Sequence, residues 1–267
     1  PFTERTASDL PDLLKVVSNV IWLRANEIFK GKFSVFEDKI EFDDINQGIL
    51  GDCYFLSAIS AMTEYPQLIC QIFKTLTVQE NGCYEIGMKI NGQWQIVLID
   101  DYFPCDSNTR QPIFAKPKNS EIWVMLLEKA WAKYLGNYQR TIAGIPSEVF
   151  YILTGAPTKS FKTVKYDKIG KDEMERKWKK LKKYFLKDYL ICCSTHSKNF
   201  YEKENDKDLD KHINDHINKI NRLKELGIAT DHAYSILLCH EEIMSGENVR
   251  FVKIRNPWGY INLHKLK

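Results

Sequence analysis

The sequence has no apolar run long enough to span a bilayer and no secretory leader pattern at its start, so neither a transmembrane helix nor a signal peptide is expected. Charge of one sign is scarce: 38 basic against 35 acidic residues leave a net charge of +3, too small an excess to point to nucleic acid. Paired cysteines are missing as well. The seven cysteines are an odd number, none stands in a paired metal-ligand spacing, and Cys192 and Cys193 are adjacent in a strand-like run. A reducing cytoplasmic setting is the simplest reading. His212 and His216 lie four apart without the carboxylate of a His-Glu-x-x-His pattern, which favours a solvated helix face over a metal site. The chain starts at Pro1 and stops soon after a strand-like segment, so an excised domain is expected. Regulatory or targeting modules could lie outside it, and membrane association through them is not readable. What is present is ample apolar content, 44% of 267 residues, enough for a substantial core and for two lobes.

Three clusters carry chemistry-bearing residues. The first runs from Asp43 to Met62, with Gly48 and Gly51 marking turns before an apolar run that starts at Cys53. A loop feeding a helix would place that sulfur among free backbone N–H groups, which favour the thiolate and lower the thiol pKa. Gln47 lies six residues upstream, where its amide N–H and the Cys53 backbone N–H could form an oxyanion hole. The second cluster places His232 at the start of the apolar run Ala233–Leu238. The third alternates apolar and charged residues from Val249 to Arg255 and stops at Asn256-Pro257. Two antiparallel strands joined by a polar connection around residues 241–248 would bring His232 and Asn256 to one end of a sheet. One ring nitrogen can then face the sulfur while the other donates to the Asn256 amide oxygen. Taken singly, Cys53 reads equally as a buried structural cysteine, His232 as a structural histidine and Asn256 as a turn residue. Together, in this order, they suit nucleophile, acid–base and orienting group.

The blocks Gln47-Gly48-x-Leu50-Gly51-Asp52-Cys53, Leu126-Leu127-Glu128-Lys129-Ala130-Trp131-Ala132-Lys133, His232-Ala233-Tyr234-Ser235 and Ile254-Arg255-Asn256-Pro257-Trp258-Gly259 resemble the protease core of the calpain family. The resemblance spans about Trp22 to Gly259. It implies an α+β papain-like fold, a helical first lobe and an antiparallel β-sheet second lobe with the active-site cleft between them. It also implies Cys53 as nucleophile, His232 as base and acid, Asn256 as orienting residue and Gln47 as oxyanion donor, acting on protein substrates. Two departures stand out: Tyr54 where many calpains have tryptophan, and Asp231 where many have glycine. Asp231 could raise the fraction of protonated imidazole, or crowd the ring if the backbone there needs a glycine-like conformation.

Calcium enters by the same resemblance. A first-lobe site in the family uses an aspartate nine residues before the cysteine and a glutamate of the Leu-Leu-Glu-Lys-Ala helix, here Asp44 and Glu128, with backbone carbonyls; two solvated acidic residues are the plainer alternative. In the second-lobe site, Asn262 stands where a glutamate would begin the set. Trp258 resembles the tryptophan that obstructs the cleft until calcium realigns the lobes, although ordinary core packing would also explain it.

The expected organisation is a helix over residues 9–29, the Cys53 helix, a hairpin of Tyr84–Ile90 and Trp94–Ile99 around Asn91-Gly92, and a helix over 121–135. A lobe boundary is expected near Ile145–Phe150, dividing residues 1–148 from 149–267. A further helix covers 172–186 with Lys177–Lys183 as a wetted surface, and a helical insert at 203–226 could narrow substrate access or dock a partner. The function expected is an intracellular cysteine endopeptidase making limited cuts. Two other classes compete, an interaction module of the same fold without activity and an acyl transferase using the same cysteine chemistry.

Overall fold

The structure is a computed structural model that describes residues 19–37, 39–161, 170–195, 223 and 225–259. Most of the expected insert, His212 and His216, and Asn262 lie outside the described residues.

The helix expected over 9–29 gives way, in its described part, to a strand. Val20, Ile21 and Trp22 are β-branched or aromatic and favour extended backbone. Strand β1 (Val20–Arg24) therefore pairs antiparallel with a strand some eighty residues on, Trp22 opposite Pro104, before a short helix α1 (Ala25–Phe29). A 3₁₀ turn at Phe42–Asp44 follows. Helix α2 (Cys53–Met62) is buried at every position from Tyr54 to Met62 and runs through the core, apolar apart from Ser57 and Ser60 on one face. Helix α3 (Pro66–Ile72) begins with proline, whose missing N–H costs nothing in a first turn.

Strands β2 (Cys83–Ile90) and β3 (Gln93–Asp100) form the expected hairpin. Asn91 and Gly92 both take positive φ, 51° and 79°, as a two-residue turn matched to strand twist requires. Strand β4 (Tyr102–Asp106) closes the β1 pair, and helix α4 (Trp123–Leu135) buries ten residues, with Trp131 packed on Tyr54 and Phe55 of α2. Within α4, Lys129 is buried, and its ammonium meets the Asp100 carboxylate and the Tyr102 carbonyl. Helix α5 (Pro146–Thr154) starts at Pro146 and ends at Gly155 in a left-handed turn. Pro146 thus opens a helix where an interruption was expected. The division at residue 148 falls inside α5, whose Val149, Phe150, Ile152 and Leu153 share the apolar core of α2.

The remaining elements are α6 (Lys171–Phe185) and a three-stranded antiparallel sheet in the order β5 (Cys192–Ser194), β6 (Ala233–Met244), β7 (Glu247–Arg255). No residue of α6 is buried, in keeping with the expected wetted lysine surface. Lys177 and Lys179 pair with Glu173 and Glu175 one turn back, while Lys182 reaches Glu241 of β6 at 2.8 Å. The connection expected at 241–248 is only the Ser245-Gly246 turn, with φ of 52° and 83°, because both strands extend to meet it. Ser235 faces Arg255 in register, which brings residues 232 and 256 to one end of the sheet.

Candidate active site

Cys53 is the first residue of α2, and His232 immediately precedes β6. Asn256 immediately follows β7. His232 Nε2 and Asn256 Oδ1 are 2.7 Å apart. The backbone N–H of Trp258 donates to the same Oδ1 at 3.1 Å. Since a backbone amide only donates, the atom it meets must be the amide oxygen, which in turn makes Nε2 the protonated nitrogen. Nδ1 then keeps the lone pair of the neutral ring.

The imidazole is buried and held between two aromatic rings. Tyr234 meets it edge-on at 4.9 Å between centroids, and Trp258 lies over it at 4.3 Å with its own ring 46% exposed. Burial lowers the His232 pKa from its ordinary value, and the Asn256 bond acts against that. The Cys53 thiol is half-buried, and burial pushes its pKa up. The N–H groups of Ala233, Tyr54 and Cys53 itself oppose the rise, and the Asp52 charge adds to it. The lowered thiol pKa expected from the helix start is therefore not what the site has; loss of water outweighs the backbone dipoles. Both shifts favour the uncharged form of the group concerned.

Two further expectations meet the structure at the rim of this site. Gln47 donates its side-chain N–H to the Leu50 carbonyl at 2.6 Å, its backbone N–H to Pro257 at 2.8 Å, and its Oε1 is buried without a partner. Its amide is thus turned into its own loop. Asp231 has φ 53°, a glycine-like conformation, the condition under which it would crowd the ring. Tyr54 sends its hydroxyl to accept the Trp131 indole N–H at 2.9 Å, so the phenol is held inside the core.

The carboxylates pair differently from the expected Asp44–Glu128 set. Asp44 is paired with the carboxyl of Glu121, just ahead of α4, while Glu128 accepts the Ala115 N–H and lies against Asp52, whose two carboxyl oxygens are buried without a hydrogen-bond partner. Burial, and then the charge of Asp44, push Glu121 up to about 8. Burial likewise pushes Asp52 up to about 7 and Glu128 well above the carboxylate range. Among the described residues no group of three or more His, Cys, Asp and Glu side chains is arranged to hold a metal. Seven cysteines are free: Cys70 and Cys83 exposed, Cys105 and Cys239 buried, and Cys53, Cys192 and Cys193 between.

Some contacts were not foreseen. Arg255, one residue before Asn256, donates to the Ile45 carbonyl at 2.9 Å, tying the Phe42–Asp44 turn to the Asn256 turn. Ser57 and Ser60 face β6 from α2. Their spacing from Cys53, four and seven residues, is the signal that could have found them.

Comparison with known proteins gives a consistent result. A profile described as calpain family cysteine protease matches residues 6–264. The chain is 30% identical over 250 residues to the rice protein named calpain-type cysteine protease ADL1, covering 92% of this chain and 10% of that one. It is 30% identical over 253 residues to calpain-type cysteine protease DEK1 of Arabidopsis thaliana, covering 93% and 10%. Calpain clp-4 of Caenorhabditis elegans is 30% identical over 243 residues, covering 90% and 30%. The chain thus spans about a tenth of the plant relatives and under a third of the nematode one.

Proposed function

From the membership of this chain in the calpain family of cysteine proteases, a premise its profile match establishes, we propose that it makes limited cuts in protein substrates with Cys53, His232 and Asn256. The carrying observation is the His232–Asn256 bond at 2.7 Å, with Cys53 at the start of the helix whose Ser57 hydroxyl bonds the residue after that histidine. His232 Nδ1 takes the thiol proton as the sulfur bonds to the substrate carbonyl carbon, and the imidazolium returns it to the departing amine. Water then loses a proton to Nδ1, its oxygen attacks the thioester, and the sulfur leaves and is reprotonated. Asn256 holds the ring in the tautomer this needs. Gln47 serves the oxyanion by turning its amide away from Leu50.

In this reading the fold is papain-like. Elements β1 to α5 form one lobe, α6 and the β5–β7 sheet the other, and the substrate cleft lies between Cys53 and His232. Trp258 covers the imidazole and acts as a gate. Calcium would be held by Asp44 with Glu121, a buried carboxyl pair whose repulsion a hard cation relieves. Glu128 does not fit that role, because both its carboxyl oxygens face the Ala115 N–H and the neighbouring charge is Asp52 rather than Asp44. Calcium would supply neutralising charge at the Phe42–Asp44 turn and no chemistry at the sulfur. A cytoplasmic setting suits seven free cysteines.

The test is cleavage of an unstructured protein by wild type and Cys53→Ala, each with calcium and with chelator. Cutting that needs Cys53 and calcium supports the whole reading. Cysteine-dependent cutting in chelator keeps the protease and removes the calcium. Failure of a peptidyl electrophile to modify Cys53 in calcium would leave an inactive interaction module.

A further inference from the structure

We propose that Ser57, backed by Ser60 and Ser235, is a positioning residue that sets the register of Cys53 against His232; the proposal rests on the catalytic reading above. Cys53, Ser57 and Ser60 stand at i, i+4 and i+7, one face of α2. Ala233 and Ser235 stand at i and i+2, one face of β6. The two faces meet. The Ala233 carbonyl accepts the Ser57 hydroxyl at 2.8 Å, one turn along α2 from Cys53. One turn further along, the Ser60 and Ser235 hydroxyls are 3.2 Å apart.

Every group in this seam is out of water except the sulfur. Ser57 and Ser235 are 0% exposed, Ser60 1% and Ala233 3%. The helix is otherwise lined by apolar side chains, so the hydroxyls are not there for solubility. Apolar packing has no direction, and α2 could slide along β6 at little cost if apolar contact alone held them. Hydrogen bonds have direction and narrow length, and a buried carbonyl that loses its donor is left unpaired in an apolar setting. Ser57 therefore fixes the height of the Ala233 peptide on α2. That carbonyl belongs to the residue after His232, so the height of Ala233 on the helix sets where His232 stands relative to Cys53. A displacement of ~1 Å between reacting groups can cost roughly a hundredfold in rate.

Ser57→Ala removes the hydroxyl and leaves the fold otherwise filled. Two rates are read well below its melting temperature: turnover of an unstructured protein, and alkylation of Cys53 by iodoacetamide followed by mass spectrometry across pH. The expected result is kcat lowered at least tenfold with KM unchanged, and alkylation that loses the imidazole-assisted component present in wild type below the ordinary thiol range. Should Ser57→Ala not fold, the Ser60→Ala, Ser235→Ala double variant takes its place. There both hydroxyls leave together, no buried group is stranded, and a smaller loss in the same two readouts is expected. A lower melting temperature with kcat and the alkylation profile unchanged would overturn the proposal and leave the seam a structural one. Wild-type Cys53 that alkylates like an ordinary thiol would instead sink the catalytic reading, and the positioning role with it.

Discussion

His232 carries two opposing influences on its proton: burial drives it off, and the bond to Asn256 keeps it on. Burial prevails, so the ring is neutral, and competent as a base, from below the ordinary histidine range of about 6.5 upward. The acid limb of kcat/KM is accordingly expected below that value. Asn256→Ala removes the influence that raises the pKa, so the limb should move to still lower pH. The same change frees the ring to turn and gives up part of the roughly 10²–10⁴-fold that a positioned acid–base supplies, read as a drop in kcat. A limb that moves upward would contradict the assigned hydrogen bond. Asp231, next to this histidine, holds a left-handed backbone that is unfavourable for a non-glycine residue.

At the level of elements, the loop ahead of α2 is held by close backbone approach. A Cβ on Gly48 would lie 1.9 Å from the Phe114 carbonyl oxygen, where nothing flexible can yield. Gly48→Ala is expected to destabilise by about 1–3 kcal/mol or more, measured by urea unfolding, and to displace Gln47 with the loop. The elements legible beforehand were those specified by their own residues. Asn91-Gly92 names its turn, and the alternation from Val249 to Arg255 names a half-buried strand. β1 was not legible as a strand because its pairing partner lies some eighty residues away and its apolar spacing also suits a helix. Pro146 was ambiguous for a similar reason: proline ends one helix or opens the next, and only the packing of Val149 and Phe150 decides. In the site, His232 and Asn256 could be placed together because strand register relates them locally. The partner of Asp44 could not, because spacing along α4 does not say which end of that helix meets the Phe42–Asp44 turn.

For the molecule as a whole, buried carboxyls make stability depend on pH in an unusual direction. A carboxyl whose folded pKa lies above its unfolded one makes the folded state the better proton binder, so stability falls as pH rises from the ordinary carboxylate range through the folded value. Glu121, pushed up to about 8, and Asp52, at about 7, place that decline across neutral pH. Thermal melts in chelator should therefore drop between pH 6 and pH 9. Glu121→Gln should flatten the part owed to Glu121. Calcium should raise the melting temperature of wild type most at the alkaline end and that of Glu121→Gln little. An increase in melting temperature with pH in chelator would rule out the protonated pair.

Cys70 and Cys83 face solvent while Cys53 is half-buried with its thiol pKa raised. Air oxidation should consequently stitch molecules to one another through the surface thiols before it reaches Cys53. Ageing without reductant would then show non-reducing gel bands of doubled mass that still cut, and Cys70→Ser with Cys83→Ser would keep the protein single without touching its turnover.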